Sequence, residues 1–139
     1  MWLYKEEVID SIEKMPKNTF GFIYEVCYIP TNEKYLGKKV LQFNKKLPPL
    51  KGFKRKRKVV VESDWQTYYG SHQKIKNLLK EGKQDNFKRT ILEFAFNKKN
   101  LTYLETKYLF SNHVLENTEY INDNILGKFF RKDLVEPNP

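Results

Sequence analysis

The chain has 139 residues, with 26 Lys or Arg against 17 Asp or Glu and a formal charge of +9 at neutral pH. That length suits one domain, 1–139, whose modest core needs neither a disulfide nor a structural metal. A pI near 9.5 makes nucleic acid the first class of partner to consider, beside ribosome-associated, membrane-surface or heparin-like binding and a merely solvated basic surface.

The single cysteine, Cys27, excludes an internal disulfide. Set in an apolar run, it reads as a small buried hydrophobe in a reducing, intracellular compartment. The opening "MWLYKEEVIDSIEKM" has no apolar stretch long enough for a signal peptide or membrane span, so a cytoplasmic protein is expected.

In chain order, Leu3, Val8, Ile12 and Met15 fall roughly on one helical face and Pro16 closes the run, which predicts an N-terminal packing helix over 1–16. From Phe20 to Ile29 the pattern alternates: Phe20, Phe22, Tyr24, Val26 and Tyr28 share one side of a strand, with Ile23, Glu25 and Cys27 on the other. "PTNEK" supplies a turn and "KYLGKKVLQF" returns as a second strand. In that hairpin Tyr24 and Tyr35 can project onto one face of the sheet and share a site.

Residues 44–58, "NKKLPPLKGFKRKRK", combine two prolines, a glycine and a dense cationic run, which predicts a basic loop or flap. "SHQKIKNLLKEG" reads as a helix capped by Ser71, with Ile75, Leu78 and Leu79 inward and Gly82 at its end. "NFKRTILEFAF" reads as a third strand. Asn100 is the expected cap of "LTYLETKYLF", a helix with its apolar stripe on Leu101, Leu104, Tyr108 and Leu109. The C-terminal end, polar and proline-containing, is expected to fray.

At 100° per residue Glu105 lies between Leu101 and Leu109, so the pattern that buries those side chains turns this acid inward. A buried carboxylate requires a cationic partner, hydrogen bonds or a metal ion, and otherwise stays protonated. Two readings stand side by side: a structural ion pair with a lysine, and a metal ligand. An acid facing the sheet, phenols on the sheet and cations around both are groups that phosphodiester hydrolysis uses.

"GFIY" at 21–24 followed by "YLG" at 35–37 resembles the paired motif that names the GIY-YIG nuclease family. The helix with Glu105 resembles that family's metal-binding helix, and the resemblance runs from about Phe20 to Phe130. "YLGKK", "SDWQTYYGS" and "NDNILGKFF" look like the short stand-alone members of large tailed phages. The resemblance implies an α+β fold, a small three-stranded antiparallel sheet flanked by helices, carrying a one-metal hydrolytic site.

Residue by residue, the resemblance implies that Tyr24 contacts or activates the attacking water as general base, and that Tyr35 helps position water or phosphate. A free phenol with a pKa near 10 is a poor base at neutral pH unless a cation favours the phenolate, a charge that Lys38 could supply. Gly37 would let backbone and substrate approach closely. Glu105 would hold one Mg²⁺, or Mn²⁺, which would stabilise the leaving 3′ oxygen. Asn122 matches the family's late asparagine, with Asn124 two positions on as its competitor.

One departure is visible. The family's Arg-x-x-x-His or Arg-x-x-x-Tyr after the second motif is missing, and the basic segment intervenes. The phosphate-clamping role is expected to pass to Arg55 or Arg57, and Tyr69 to stand for the histidine or tyrosine. Expected DNA contacts are Gly37, Lys39, Lys54, Arg55, Lys56, Arg57, Lys58 and Ser71. His72 reads as a capping or surface histidine, and Trp2 and Trp65 as core or lid aromatics.

The activity implied is metal-dependent endonucleolytic hydrolysis of DNA to 5′-phosphate and 3′-hydroxyl ends, by a monomer or a homodimer. The rival is a non-catalytic nucleic-acid-binding accessory protein in which Glu105 is tied up in an ion pair.

Overall fold

The computed structural model describes residues 1–134; the end expected to fray, 135–139, lies outside them. Eleven short elements follow one another: strands β1 (Trp2–Tyr4), β2 (Glu7–Ile9), β3 (Gly21–Tyr28), β4 (Glu33–Val40), β5 (Gln42–Leu47) and β6 (Arg57–Glu62), helix α1 (Gln73–Lys80), β7 (Phe87–Ala95), helix α2 (Lys98–Ser111), β8 (Asn124–Ile125) and β9 (Phe129–Phe130). The fold is α+β.

The three predicted strands form the antiparallel centre of the sheet, β7-β3-β4, but the sheet has five strands in the order β2-β1-β7-β3-β4. The extra pair replaces the expected N-terminal helix. Trp2 and Leu3 pair in parallel with Arg89 and Thr90 of β7, and Tyr4 faces Glu7 across a tight turn. Lys5 and Glu6 take positive φ in that turn, the conformation a two-residue hairpin demands. In the hairpin Trp2 and Ile9 are buried while Val8 faces solvent; of the helical stripe only Met15 is buried in the core. The indole Nε1 of Trp2 donates to Trp65 O at 2.7 Å, and this bond joins β1 to the far side of the core.

β3 lies between β7 and the edge strand β4, and Gly21 to Tyr24 are buried. Within Gly21–Tyr28 its alternation sorts side chains as predicted, whereas Phe20, just before it, packs on the opposite face from the one expected. Phe22, Tyr24 and Val26 join Trp2, Trp65, Ile75 and Ile91 on one face, while Ile23 joins Leu36, Leu101, Leu104 and Leu109 under α2 on the other. A register shift against β7 falls between Ile23 and Tyr24; such irregularities re-aim side chains beside functional sites.

The basic segment 44–58 is not a simple loop. Gln42–Leu47 and Arg57–Glu62 pair as a two-stranded antiparallel ribbon, from Gln42 opposite Glu62 to Leu47 opposite Arg57. Pro48, Pro49 and Gly52, which argued against regular structure, are confined to its tip. With only Leu47, Val59 and Val61 half-buried, the ribbon accepts lysines because none of them has to be buried.

Both helix caps sit one turn or less from their expected places. His72, not Ser71, caps α1: its Nδ1 accepts from Lys74 N at 3.1 Å. Asn97, not Asn100, caps α2, accepting from Asn100 N at 2.7 Å, while Asn100 Oδ1 reaches back to accept from Phe96 N at 3.2 Å. This reciprocal arrangement has the logic of a capping box. Among the described residues no helix is long and apolar enough to cross a membrane.

Candidate active site

β3 and β4 run antiparallel with Tyr24 opposite Gly37 and Val26 opposite Tyr35. Positions 24, 26, 35 and 37 therefore share one face, and the two phenol rings meet with centroids 6.3 Å apart. Tyr24 is 1% exposed and enclosed by rings of Trp2 at 5.5 Å, Phe22 at 6.3 Å and Tyr68 at 5.8 Å.

Gly37 packs against the first motif tyrosine. A Cβ on it would lie 2.6 Å from Tyr24 Oη and 2.9 Å from Cζ, and the glycine itself is buried. Its missing side chain makes room for the phenol. Gly70, at φ +102, is used in the same way, since a Cβ there would meet Tyr35 at 3.1 Å and Tyr24 Oη at 3.4 Å.

Tyr35 stands at the mouth of the site. Its hydroxyl is 3.1 Å from Ser71 Oγ and its ring lies edge-on to His72 at 5.9 Å. Together with Glu105, Asn122 and Asp123 these residues line an open cavity of about 370 Å³; Tyr24 lies behind it. His72 Nδ1 is occupied as the helix cap, so its proton sits on Nε2, which lies 3.1 Å from Asp123 Oδ2.

Glu105 is turned inward as its helical phase required, and its side chain is 16% exposed. Lys38 Nζ lies 3.6 Å from Glu105 Oε1 and donates to Thr102 Oγ1 at 3.2 Å. Burial pushes the carboxyl pKa of Glu105 above the usual range and Lys38 opposes the shift. One turn on, Tyr108 donates to Glu93 Oε1 of β7 at 2.9 Å, which sets the roll of α2. Burial and that carboxylate push the Tyr108 phenol up to about 12.

Both site phenols titrate above the ordinary tyrosine range. For Tyr24 burial dominates, reinforced by Tyr68, Tyr35 and Glu105. For Tyr35 burial again leads, offset in part by Ser71. Both are therefore neutral hydroxyls at physiological pH, able to donate and accept hydrogen bonds.

Asn122 is buried, and its amide is committed: Nδ2 donates to Leu36 O at 2.9 Å and Oδ1 accepts from Leu36 N at 3.1 Å. Asn124 accepts from Gly127 N at 2.9 Å and shapes a turn. Lys39 is likewise committed, to Asp64 at 2.5 Å and to the face of Tyr68 at 3.9 Å, with its side chain 15% exposed. It is not a free phosphate contact. Lys54, Arg55, Lys56, Arg57 and Lys58 are exposed on the ribbon. Arg57 donates to Pro48 O at 3.3 Å, and none of the five is hydrogen-bonded or ion-paired to Tyr24, Tyr35 or Glu105.

The phenol added to the site is Tyr68, not Tyr69. Tyr69 turns away, stacking on Phe87 at 5.7 Å and on the guanidinium of Arg89 at 4.1 Å. Arg89 was missed in the sequence. Buried between Trp2 and Tyr69, it donates to Gln66 O at 2.9 Å and Tyr68 O at 2.8 Å, and so holds the segment carrying Tyr68. Its signal was parity: it shares the inward side of β7 with Ile91.

A family model described as "Putative endonuclease segE, GIY-YIG domain" matches residues 2–125. The chain belongs to the GIY-YIG family. The match includes the β1–β2 hairpin, which the motifs alone did not reach. No curated protein and no solved structure matches the chain. The GIY-YIG tyrosines, the second-motif glycine and the helix glutamate thus occupy one neighbourhood at the edge of the sheet, with Ser71, His72, Tyr68 and Asp123 brought to it by the α1 side and the C-terminal loop.

A divalent cation can be tested against this neighbourhood. Among the described residues no three His, Cys, Asp or Glu side chains cluster as a full ligand cage, which disfavours a soft or fully protein-caged ion. One half-buried carboxylate on an open cavity with room for water and phosphate oxygens suits Mg²⁺ or Mn²⁺.

Proposed function

We propose that this GIY-YIG protein is a metal-dependent DNA endonuclease, phage-encoded and working in the host cytoplasm, that leaves 5′-phosphate and 3′-hydroxyl ends. The observation that carries the reading is the inward Glu105 carboxylate, sharing one open cavity with the Tyr35 hydroxyl at the edge strand.

Glu105 would hold the cation, whose chemistry is positive charge for the leaving oxygen and for the pentavalent transition state. Tyr35, with its hydroxyl held by Ser71, orients the attacking water. Tyr24, packed behind it against Gly37 and Tyr68, fixes the phenol pair in place and is a positioning residue. Lys38 gives the phosphate a cation beside Glu105, and His72, whose proton lies on Nε2, is a donor at the cavity wall. Proton removal by a phenol requires that burial be offset by positive charge, because both hydroxyls titrate above their usual range.

A second reading is favoured by one distance. The 3.6 Å contact of Lys38 with Glu105 is what a non-catalytic, nucleic-acid-binding scaffold would use to neutralise its buried acid. Supercoiled plasmid incubated with the protein and Mg²⁺ or Mn²⁺ decides between them. Endonuclease action is expected to nick or linearise the plasmid, to stop in EDTA, and to fall roughly a thousandfold in Glu105→Gln, a loss of several kcal/mol of transition-state stabilisation. Binding without cleavage on every form of DNA would establish the scaffold instead.

A further inference from the structure

The β5–β6 ribbon is the most unusual surface of the molecule. Segment 42–62 carries eight Lys or Arg and a single acid, Glu62, so +7 of the chain's +9 resides there. It continues directly from β4, the strand bearing Tyr35 and Lys38, and is anchored at its root by Ser63, which donates from N to Leu41 O at 2.7 Å and from Oγ to Val40 O at 2.6 Å. Six paired residues at about 3.4 Å each give an arm on the order of 20 Å, long enough to follow a groove of duplex DNA.

Its tip closes in a turn that carries two apolar side chains among cations. Phe53 N donates to Leu50 O at 2.9 Å, closing a turn around Lys51 and Gly52. Gly52 has φ +90 with open space around it, the backbone that such a turn asks of its third residue. First and fourth residues of a turn lie side by side, so the turn presents Leu50 and Phe53 together. They are 51% and 70% exposed, with Lys51, Lys54, Arg55 and Lys56 around them. Phe43 and Val60 on the ribbon are also exposed. An isolated two-stranded ribbon is marginal on its own, and this one leaves its aromatic tip in solvent.

We propose that the ribbon is an arm that grips duplex DNA, its cations on the phosphates and its Leu50–Phe53 tip inserted between base pairs as a wedge. The inference rests on the nuclease reading for the identity of the partner and adds to it the contact that deforms the substrate. The polyanion matches the concentrated charge, and an apolar side chain among cations is the equipment of proteins that unstack a base step and kink the helix. Phosphate contact alone would not account for Phe53, whose exposure serves no core.

The full-length chain, kept from cutting by EDTA, is the sample. Three measurements are made: affinity for a 30-base-pair duplex against salt, the topoisomer distribution of plasmid relaxed by a type I topoisomerase in its presence, and capture by vesicles rich in anionic lipid. Wild type is expected to shift the topoisomers, because a wedge unwinds the helix. Phe53→Ala is expected to abolish that shift and to weaken duplex binding roughly five- to a hundredfold with the salt slope unchanged, and Phe53→Trp to restore both. Lys54→Ser, Arg55→Ser and Lys56→Ser together are expected to flatten the slope by up to about 2.7, close to 0.9 per lost phosphate contact.

An unchanged topoisomer pattern with wild type, or a Phe53→Ala protein that binds and unwinds normally, overturns the wedge. An unchanged slope in the triple variant overturns the arm. Neither result touches the nuclease reading, which stands or falls on plasmid cleavage. Vesicle capture dependent on Phe53, with no duplex binding, would make the tip a membrane anchor and overturn the proposal.

Discussion

Replacing Gly37 by alanine separates two accounts of the second motif. If the glycine admits substrate, the methyl group obstructs DNA and leaves the fold alone. If it admits Tyr24, the fold itself is injured. A Cβ at position 37 would lie 2.6 Å from Tyr24 Oη and 2.9 Å from Cζ, both closer than real Cβ atoms approach. The phenol cannot swing aside, being 1% exposed among Trp2, Phe22, Tyr35 and Tyr68. Overpacking of this kind costs about 1–3 kcal/mol. For a chain of this size that corresponds to a fall in Tm of roughly 3–12 °C. The assay is urea denaturation of wild type, Gly37→Ala, Tyr24→Phe and the double variant. Tyr24→Phe removes the atom at 2.6 Å, so the double variant is expected to recover part of the loss, with a coupling above about 0.5 kcal/mol. A Gly37→Ala protein as stable as wild type, or strictly additive losses, would refute the packing account and return the glycine to the substrate.

Three further outcomes follow from the same geometry. Glu105→Gln is expected to abolish cleavage while raising stability at neutral pH. The sign follows from its raised pKa: the folded state is fully favoured below the unfolded carboxylate pKa and loses that advantage as pH rises through the folded value, a loss the glutamine does not suffer. Urea midpoints at pH 4 and pH 8 check it, and a variant less stable than wild type at pH 8 counts against it. Lys38→Met removes the charge that holds the Glu105 pKa down, so the acidic limb of the cleavage profile should move to higher pH; an unmoved limb would exclude Lys38 from the site's electrostatics. Arg89→Met leaves the carbonyls of Gln66 and Tyr68 without donors, and a loss of about 2–4 kcal/mol in urea unfolding is expected. A loss below about 1 kcal/mol would show that the segment bearing Tyr68 is held by other means.

What the sequence made legible was local or alternating. β3 announced itself through a period-two pattern, β4 through the turn that returns it, β7 as a strand-like run, and α2 through a stripe whose phase also placed Glu105. The failures share a cause in long-range pairing. β1 owes its conformation to β7, more than 80 residues away, and a parallel pairing of two or three residues leaves no local trace. Lys5 and Glu6 carry none of the usual turn residues, so a loosely helical spacing prevailed. The ribbon was hidden because Pro48, Pro49 and Gly52 at its tip were read as properties of the whole segment. Tyr68 and Tyr69 are adjacent, and the turn at Trp65–Thr67 decides which one reaches Tyr24. Gly37 was marked by its motif, but a motif records that a side chain is absent without recording what fills the space, which here is the Tyr24 phenol.

Asn122 is the residue whose role the edge of the sheet explains best. Segment 119–122 runs beside β4: Lys34 N donates to Glu119 O and Ile121 N to Lys34 O, each at 2.8 Å. At Leu36, two residues along, the next outward N–H and C=O fall due, and the Asn122 side chain takes the place of a peptide unit and satisfies both. Only an amide offers a donor and an acceptor at that spacing. Asn122→Asp keeps the acceptor and sets a carboxylate oxygen against Leu36 O, so a loss of about 2–4 kcal/mol is expected, the cost of an unsatisfied buried carbonyl with added charge repulsion. Asn122→Leu leaves both backbone groups bare and should cost a similar amount. Leu36 lies between Tyr35 and Gly37, so loosening this edge displaces the phenols, and cleavage should decline together with stability. If urea unfolding of Asn122→Asp shows a change within about 0.5 kcal/mol while cleavage is lost, the amide acts on the substrate and the ladder account is wrong.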